Sequence, residues 1–348
     1  MMRRKLIQDM KKLSVSLLAV GLLTSMISSC GAPRNLPAAN FSAPNAQFQA
    51  RNAASARFGS FSTAQAGKLR IATYNIRNMF DGIKDNPNNP DERAKPDKEY
   101  KALSESIHQI NADVIGFQEV ESKGVLTAFR DKYLQDMGYK EVVLIEGNDS
   151  RGIDVALFSR FPLSNVTSHK EARFNVPGQG TMGFSRDLLQ VQIQPSANYQ
   201  FTMFVGHLKS QHGAAQADAR RLAEATKAQE IINAFQQANP RENVVIVGDF
   251  NDTVETQEIA PLVRGTNTVD VIGQDLGTGS TVFTYHPQQY RSRIDYILLN
   301  KNMANEYLPK SVSIHKPYKN EKGWQDLNFY DASDHVPVTI DLDISQDR

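Results

Sequence analysis

From Lys68 onward the chain repeats one pattern: a short run of branched, aliphatic and aromatic residues that stops at a group able to bind a metal or move a proton. "IATYN" stops at Asn75, "VIGFQE" at Glu119, "MFVGHLK" at His207 and Lys209, and "VVIVGDFN" at Asp249 and Asn251. Asp295 lies inside "SRIDYIL", and Ser333, Asp334 and His335 open "VPVTIDLDI". One Gly-Asp-Asn stop is a turn, because these residues hydrogen-bond their own backbone. The same kind of stop at strand after strand points to strand ends converging on a site.

Runs of this composition read as strands, and "DVALFSR", "LLQVQIQ", "TVFTYH" and "RIDYILLN" add to the set. Tyr100, Leu103, Ile107 and Ile110 fall at helical spacing, and Leu222, Ala225, Ala228, Ile232 and Phe235 form one apolar helix face. Strands interleaved with helices predict an α/β or α+β domain whose large sheets are covered by helices. With no internal repeat, residues 68–348 read as one catalytic domain.

The first 67 residues differ from the rest. Arg3, Arg4, Lys5, Lys11 and Lys12 precede an apolar run from Leu13 to Leu23, then small residues up to Cys30. This reads as an export signal over 1–29, with Met1 or Met10 as initiator. The run is too short to span a membrane, which takes about 20 apolar residues. "ISSC" resembles a lipobox, so Cys30 is the expected lipidation point, and residues 30–67, rich in Ala, Asn, Ser, Pro and Gln, the expected disordered tether. Cys30 is the sole cysteine, which excludes a disulfide within one chain. The expected location is the cell envelope, anchored to the membrane by lipid, as a monomer.

Charge bears on the substrate. The chain holds 39 basic and 38 acidic residues; without residues 1–29, five basic and one acidic, 34 and 37 remain, formally −3. Arg34, Arg51 and Arg57 precede Lys68, so the domain itself stands at −6. A dedicated nucleic-acid binder shows a basic surplus, but acids gathered in a metal site would mask a local basic groove.

Taken in order, "TYNIRNMFD", "FQEVE", "GHLKSQ", "VGDFNDT", "RSRIDYIL" and "ASDHVPV" resemble the endonuclease/exonuclease/phosphatase superfamily, from Lys68 to about Ile344. The resemblance implies a four-layer αββα sandwich of two packed mixed sheets flanked by helices. It implies a metal-dependent phosphodiesterase with nucleic acid as the leading substrate; a sphingomyelinase-like or inositol-phosphate phosphoesterase is the alternative. A non-catalytic binder on the same scaffold is the rival from another class. Oxygen ligands from Glu119 and Asn75 suit Mg²⁺ or Mn²⁺, while the domain holds no Cys or paired-His cluster for zinc. By resemblance Asp249 and Asn251 orient water and phosphate, Asp334 holds the tautomer of His335, His207 assists the leaving group or clamps the phosphate, and Asp295 supports the site from behind. Whether Asp249 or His335 takes the proton stays open.

Arg151 in "SRGID" and Lys209 are expected phosphate contacts; Arg220, Arg221, His169, His212, His286 and His315 read as surface or structural. One departure concerns DNA. Two residues after the metal glutamate, where deoxyribonuclease I carries a DNA-touching arginine, this chain has Glu121. The loops "DGIKDNPNNPDERAKPD" and "PYKNEKGWQDLNFYDA", the latter with Trp324, Phe329 and Tyr330, are expected walls of the substrate cleft.

Overall fold

The computed structural model describes residues 67–83, 89, 92–279, 281–287, 289–315 and 332–347. The signal-like segment, Cys30, the tether, and Trp324, Phe329 and Tyr330 lie outside the described residues. Among the described residues, no helix is long and apolar enough to cross a membrane.

Fourteen strands are described: β1 (Lys68–Met79), β2 (Val114–Val120), β3 (Glu141–Leu144), β4 (Asp154–Ser159), β5 (Leu163–Ser168), β6 (Phe174–Val176), β7 (Gly180–Met182), β8 (Leu189–Ser196), β9 (Tyr199–His207), β10 (Asn243–Asp249), β11 (Thr268–Asp270), β12 (Asp295–Asn300), β13 (Ser313–Ile314) and β14 (Val338–Asp343). They form two six-stranded sheets, β13-β14-β1-β2-β4-β3 and β11-β12-β10-β9-β8-β5, with β6-β7 as a separate hairpin. "TVFTYH" is not a strand: Tyr285 alone makes isolated bridges, to Ser292 and His335. The expected ladder is replaced there by single anchor points.

Each sheet is built around one parallel pair. β1 and β2 are joined through the helix Asp97–Ile110, and β9 and β10 through the helix Ala214–Ala238; the remaining pairs are antiparallel. A parallel pair needs such a crossover, because a hairpin cannot return the chain to the same end. The helix Asp97–Ile110 opens with Asp97 and Glu99 in its first turn and ends at a left-handed Asn111, matching charge to the helix dipole and a compatible residue to the cap.

Side-chain alternation sorts the residues into layers. Leu69 and Ile71 of β1, Met203 and Val205 of β9, Val245 and Val247 of β10, Ile297 and Leu299 of β12 and Ile340 of β14 meet between the sheets. Tyr74, Ile115, Phe117 and Phe158 face the helices Asp97–Ile110 and Lys123–Tyr133 through Leu103, Ile107, Leu126 and Phe129. Phe204, Val244, Ile246 and Leu298 pack under Ala225, Ala228 and Ile232 of the helix Ala214–Ala238. The order is helix, sheet, sheet, helix, the expected αββα sandwich.

The same alternation aims the chemistry. Asn75 follows Leu69 and Ile71 at even steps, His207 follows Met203 and Val205, Asp249 follows Val245 and Val247, and Asp295 precedes Ile297, so all four stand on the inter-sheet faces. Asp249 is in register with His207 on one side and Asp295 on the other. Ligand sites form at the carboxyl ends of parallel strands, and all four such ends here carry a polar group: Asn75, Glu119, His207 and Asp249.

Gly248, one residue before Asp249, is the tightest point of this arrangement. Its φ is +150°, and a Cβ would lie 2.0 Å from the Gly206 carbonyl oxygen. Gly248→Ala must therefore push β9 from β10 where His207 and Asp249 sit. We expect it to lower the unfolding free energy by about 1–3 kcal/mol in urea titration and to cost activity beyond that loss; unchanged stability would show that the strands have slack.

Candidate active site

Asp249 is the centre of the polar cluster. Its Oδ2 accepts from Asn75 Nδ2 at 2.9 Å and lies 3.6 Å from both His207 Nε2 and His335 Nε2; its Oδ1 accepts from the Asn251 N–H at 2.8 Å. Asn251 itself is left-handed, φ 57°, which asparagine tolerates, and its Nδ2 donates to the Leu208 carbonyl at 3.0 Å. Asn251 thus fastens the end of β10 to the end of β9.

Asn75 bridges to Glu119, with Nδ2 3.4 Å from Glu119 Oε1. By alternation Glu119 would point to the helix side, as Phe117 does. Instead Glu119 takes φ 66°, and the β2–β4 register shifts between Phe117 and Val120, so its carboxylate reaches Asn75. Glu119 Oε2 accepts from the Asn78 N–H at 3.0 Å. A glutamate in a left-handed conformation is costly and persists where the surroundings hold it. The Asn75 Oδ1 accepts from the Arg77 N–H at 3.0 Å, and its amide nitrogen faces the two carboxylates, so that it helps orient Glu119 and Asp249.

The carboxylate behind His335 also differs from the expected one. His335 Nδ1 donates to Asp295 Oδ2 at 2.8 Å, while Asp334 Oδ2 lies 3.7 Å from Arg77 Nε. The reason is register: Asp295 faces Asp249 across β10–β12, so it stands on the inter-sheet face where the imidazole enters. The adjacent Asp334 is half-buried and faces Arg77 instead. Ser333 completes the joint, its Oγ donating to the Asn75 carbonyl at 2.7 Å and accepting from the His335 N–H at 3.1 Å.

The two histidines carry opposite charge states. Burial would lower His335, but the carboxylates of Asp295 and Asp249 outweigh it and hold its imidazolium up at about 10. It therefore keeps its proton at neutral pH, where a free imidazole, titrating near ~6.5, would largely have lost it. His207 goes the other way: burial, then the Arg186 and Arg151 cations, hold it well below the usual range, so it is neutral. Burial also pushes Asp249 up to about 7, against the pull of His335.

Arg186 was not singled out by the sequence. It is buried, with Nε 2.8 Å from Asp149 Oδ2 and Nη1 donating to the Leu208 carbonyl at 3.1 Å. Arg151 joins Asp149 at 3.4 Å and is more exposed. The Lys209 ammonium is folded onto its own loop, donating to Ser210 Oγ at 3.1 Å and the His212 carbonyl at 3.0 Å. Arg151, Arg186 and Lys209 all border the His207 side. Tyr285 is a second unforeseen neighbour, its ring 5.0 Å from that of His335. Its bridge to His335 is a contact that no local sequence motif encodes. Glu121, where an arginine was the reference, accepts from the Asp81 N–H at 2.9 Å and braces the chain leaving β1. Arg221 is structural as expected, paired with Asp252 at 2.6 Å in the interior.

Ligand atoms of Asp249, Asp295 and His335 lie within 4.8 Å of one another, a group that could hold a metal. The 2.8 Å Nδ1–Oδ2 contact is already a hydrogen bond, however, and would have to open to admit an ion between them. Glu119 fits a hard cation better. One oxygen is fixed by the Asn78 N–H, while the other has only a long contact to Asn75, and the residue is partly exposed.

The pH dependence of stability follows from His335. A base raised from 6.5 to about 10 on folding contributes stability that is complete below pH 6.5 and is lost as pH rises through 10. Urea unfolding of the wild type should therefore weaken across that window relative to His335→Gln. Parallel curves for the two proteins would disprove the raised imidazolium.

Residues 70–271, more than half of the 348-residue chain, match the Endonuclease/Exonuclease/phosphatase family. No curated protein matches the chain. Truncated TDP2 of Caenorhabditis elegans superposes with a TM-score of 0.55 at 16% identity, covering 80% of this chain and 98% of that one. The human nocturnin catalytic domain gives 0.54 at 16%, covering 79% and 93%. An endonuclease/exonuclease/phosphatase family protein from Bacteroides thetaiotaomicron gives 0.54 at 19%, covering 79% and 97%.

Proposed function

Because the chain belongs to the endonuclease/exonuclease/phosphatase family, whose members are hydrolases of phosphodiester bonds, we propose that it hydrolyses nucleic acid with a divalent cation, Mg²⁺ or Mn²⁺, held by Glu119. One observation carries this reading: a neutral histidine beside buried and half-buried arginines and a carboxylate–imidazolium pair share one end of the sandwich. An anionic phosphodiester needs both halves, cations to offset its charge and groups to move protons.

When bound, the cation would draw charge from the phosphoryl oxygen and support the leaving oxygen. This chain's own residues supply the rest. Asp249, raised toward neutral pH by burial, is placed to take the proton of the attacking water, with Asn251 and Asn75 fixing its two oxygens. The His335 imidazolium, oriented by Asp295, provides positive charge and a donor on the same carboxylate's other side. His207 provides a neutral ring next to Arg186 and Arg151 for the phosphate or the leaving group. A merely binding protein has no use for an imidazolium buried between two carboxylates, since burying charge is costly.

The decisive assay uses plasmid DNA, RNA, sphingomyelin and bis-nitrophenyl phosphate, each with Mg²⁺, with Mn²⁺ and with chelator. Nucleic acid should be cut, the cutting should stop with chelator, and Glu119→Gln should raise the half-saturating Mg²⁺ concentration steeply. Cleavage of DNA should fall with salt, by a slope of about −0.9 per phosphate contacted, while the small diester barely responds. Hydrolysis of sphingomyelin without any cut in nucleic acid would move the substrate to phospholipid, and a Glu119→Gln enzyme with wild-type cation response would remove Glu119 as ligand.

A further inference from the structure

Just after Asn75 the backbone leaves its regular path. Arg77 and Asn78 are both left-handed, φ 48° and 47°, a region that side chains other than glycine occupy when their surroundings hold them there. The excursion coincides with the break in β1–β2 register between Asn75 and Met79. It aims two amides at the site: the Arg77 N–H at Asn75 Oδ1 and the Asn78 N–H at Glu119 Oε2, each at 3.0 Å. Among the described residues, Ile76 and Arg77 have no strand partner in either ladder of β1, so their carbonyls need donors from elsewhere.

Lys95 supplies them. Its ammonium is buried, with 2% of the side chain exposed, and donates to the Ile76 carbonyl at 3.1 Å and the Arg77 carbonyl at 2.8 Å. The Glu99 carboxylate stands 3.5 Å away. An ammonium has three donors and no acceptor, and these three partners complete it. The Lys95 backbone is tied as well, its N–H donating to the Phe80 carbonyl at 3.0 Å. A lysine buried this far would be costly without such partners, and here each partner belongs to the excursion or to the helix that follows.

We propose that Lys95 is a positioning residue for the site: its ammonium pins the Ile76 and Arg77 carbonyls and so aims the two amides that set Asn75 and Glu119. The effect on turnover rests on the phosphodiester hydrolysis proposed above; the effect on the backbone does not. The Lys95 ammonium is buried, with its donors spent on the two carbonyls and Glu99. It acts through Asn75, which reaches Asp249, and through Glu119.

The test uses the full-length protein and four variants. Lys95→Met keeps the length and removes the donors, Lys95→Gln keeps donors for one carbonyl, Glu99→Gln leaves both carbonyl contacts, and Ile107→Val trims the core away from the site. Hydrogen exchange at the Arg77 and Asn78 amides should quicken about tenfold in Lys95→Met and stay unchanged in Glu99→Gln and Ile107→Val. With bis-nitrophenyl phosphate and saturating Mg²⁺, kcat of Lys95→Met should drop by roughly 10–100-fold, the usual scale for groups that orient a ligand, with KM little changed. Mn²⁺ binding without substrate, followed by electron paramagnetic resonance, should weaken in step. Lys95→Gln should fall between wild type and Lys95→Met in both readouts, and it decides the matter if Lys95→Met fails to fold. Wild-type exchange in a folded Lys95→Met or Lys95→Gln overturns the brace, and fast exchange with wild-type turnover and Mn²⁺ affinity overturns its link to the site. A Glu119→Gln enzyme with wild-type turnover and cation response instead overturns the hydrolysis reading, while the exchange result still judges the brace.

Discussion

Burying the Asp249 carboxylate strips it of water, and its replacement partners come from both sheets. Asn75 approaches from β1, His207 from β9 and His335 from the chain entering β14, while the Asn251 N–H closes the loop on β10 itself. An ionised carboxylate in an apolar interior is far out of equilibrium unless paired and hydrogen-bonded. The sandwich therefore has a polar seam at one end that its apolar middle cannot supply, and the alignment of the two sheets at that end is set by these contacts. The apolar layer between Leu69, Val205, Val247 and Ile340 brings the sheets together, but such burial is non-directional. The Asn75–Asp249 hydrogen bond, with His335 beside it, gives the two sheets a directional contact at the site.

Why the seam falls where it does follows from topology. Each sheet has a single parallel pair, and the carboxyl ends of both pairs lie at one end of the sandwich. Crossover helices carry the chain back on the outer faces, leaving those ends free of helix packing. Residues at even steps from the core positions then point inward whether or not the interior can solvate them. Glycine keeps the spacing tight where two strands bring charged groups side by side, since only Gly248 can sit against the Gly206 carbonyl. Polar groups at this end cannot retreat outward, so they pair with one another.

Much of this was legible in the sequence because two periodicities did the encoding. Runs of branched residues marked the strands, helical spacing marked the helices Asp97–Ile110 and Ala214–Ala238, and polar stops marked the ends of β2, β9 and β10, while β1 runs past Asn75 to Met79. What spacing cannot express is which strand lies beside which. Asp334, next to His335 in sequence, looked like its partner; Asp295, distant in sequence, is the one in register with Asp249 and accepts the hydrogen bond of Nδ1–H. "TVFTYH" had strand composition but no neighbour along its length, so it became a bridge at Tyr285. Glu119 reaches the site only through a left-handed residue that breaks alternation, and Lys95 and Arg186 matter through backbone carbonyls and Asp149. None of those has a local signature, because each is a meeting of segments far apart in the chain.

The contrast between the two histidines shows how much of the chemistry is assigned by neighbours. His207 and His335 are both buried, and both stand 3.6 Å from the same carboxylate oxygen. If distance to Asp249 decided their charge, they would titrate alike. What separates them is the far side of each ring. Asp295 is bonded to His335 Nδ1, so a second negative charge holds that ring protonated. Near His207 are Arg186 and Arg151, and its Nδ1 is buried with no hydrogen-bond partner, so desolvation outweighs Asp249 and the ring stays neutral. The cluster is thereby polarised across Asp249, with an imidazolium on one flank and a neutral ring near guanidinium groups on the other. Of the two flanks, only the one at His335 holds an imidazolium proton, and only the one at His207 has cations that no carboxylate of the Asp249 cluster neutralises. Exchanging the partners of the two rings would exchange their roles, which places the division of labour in Asp295, Arg186 and Arg151 rather than in the histidines themselves.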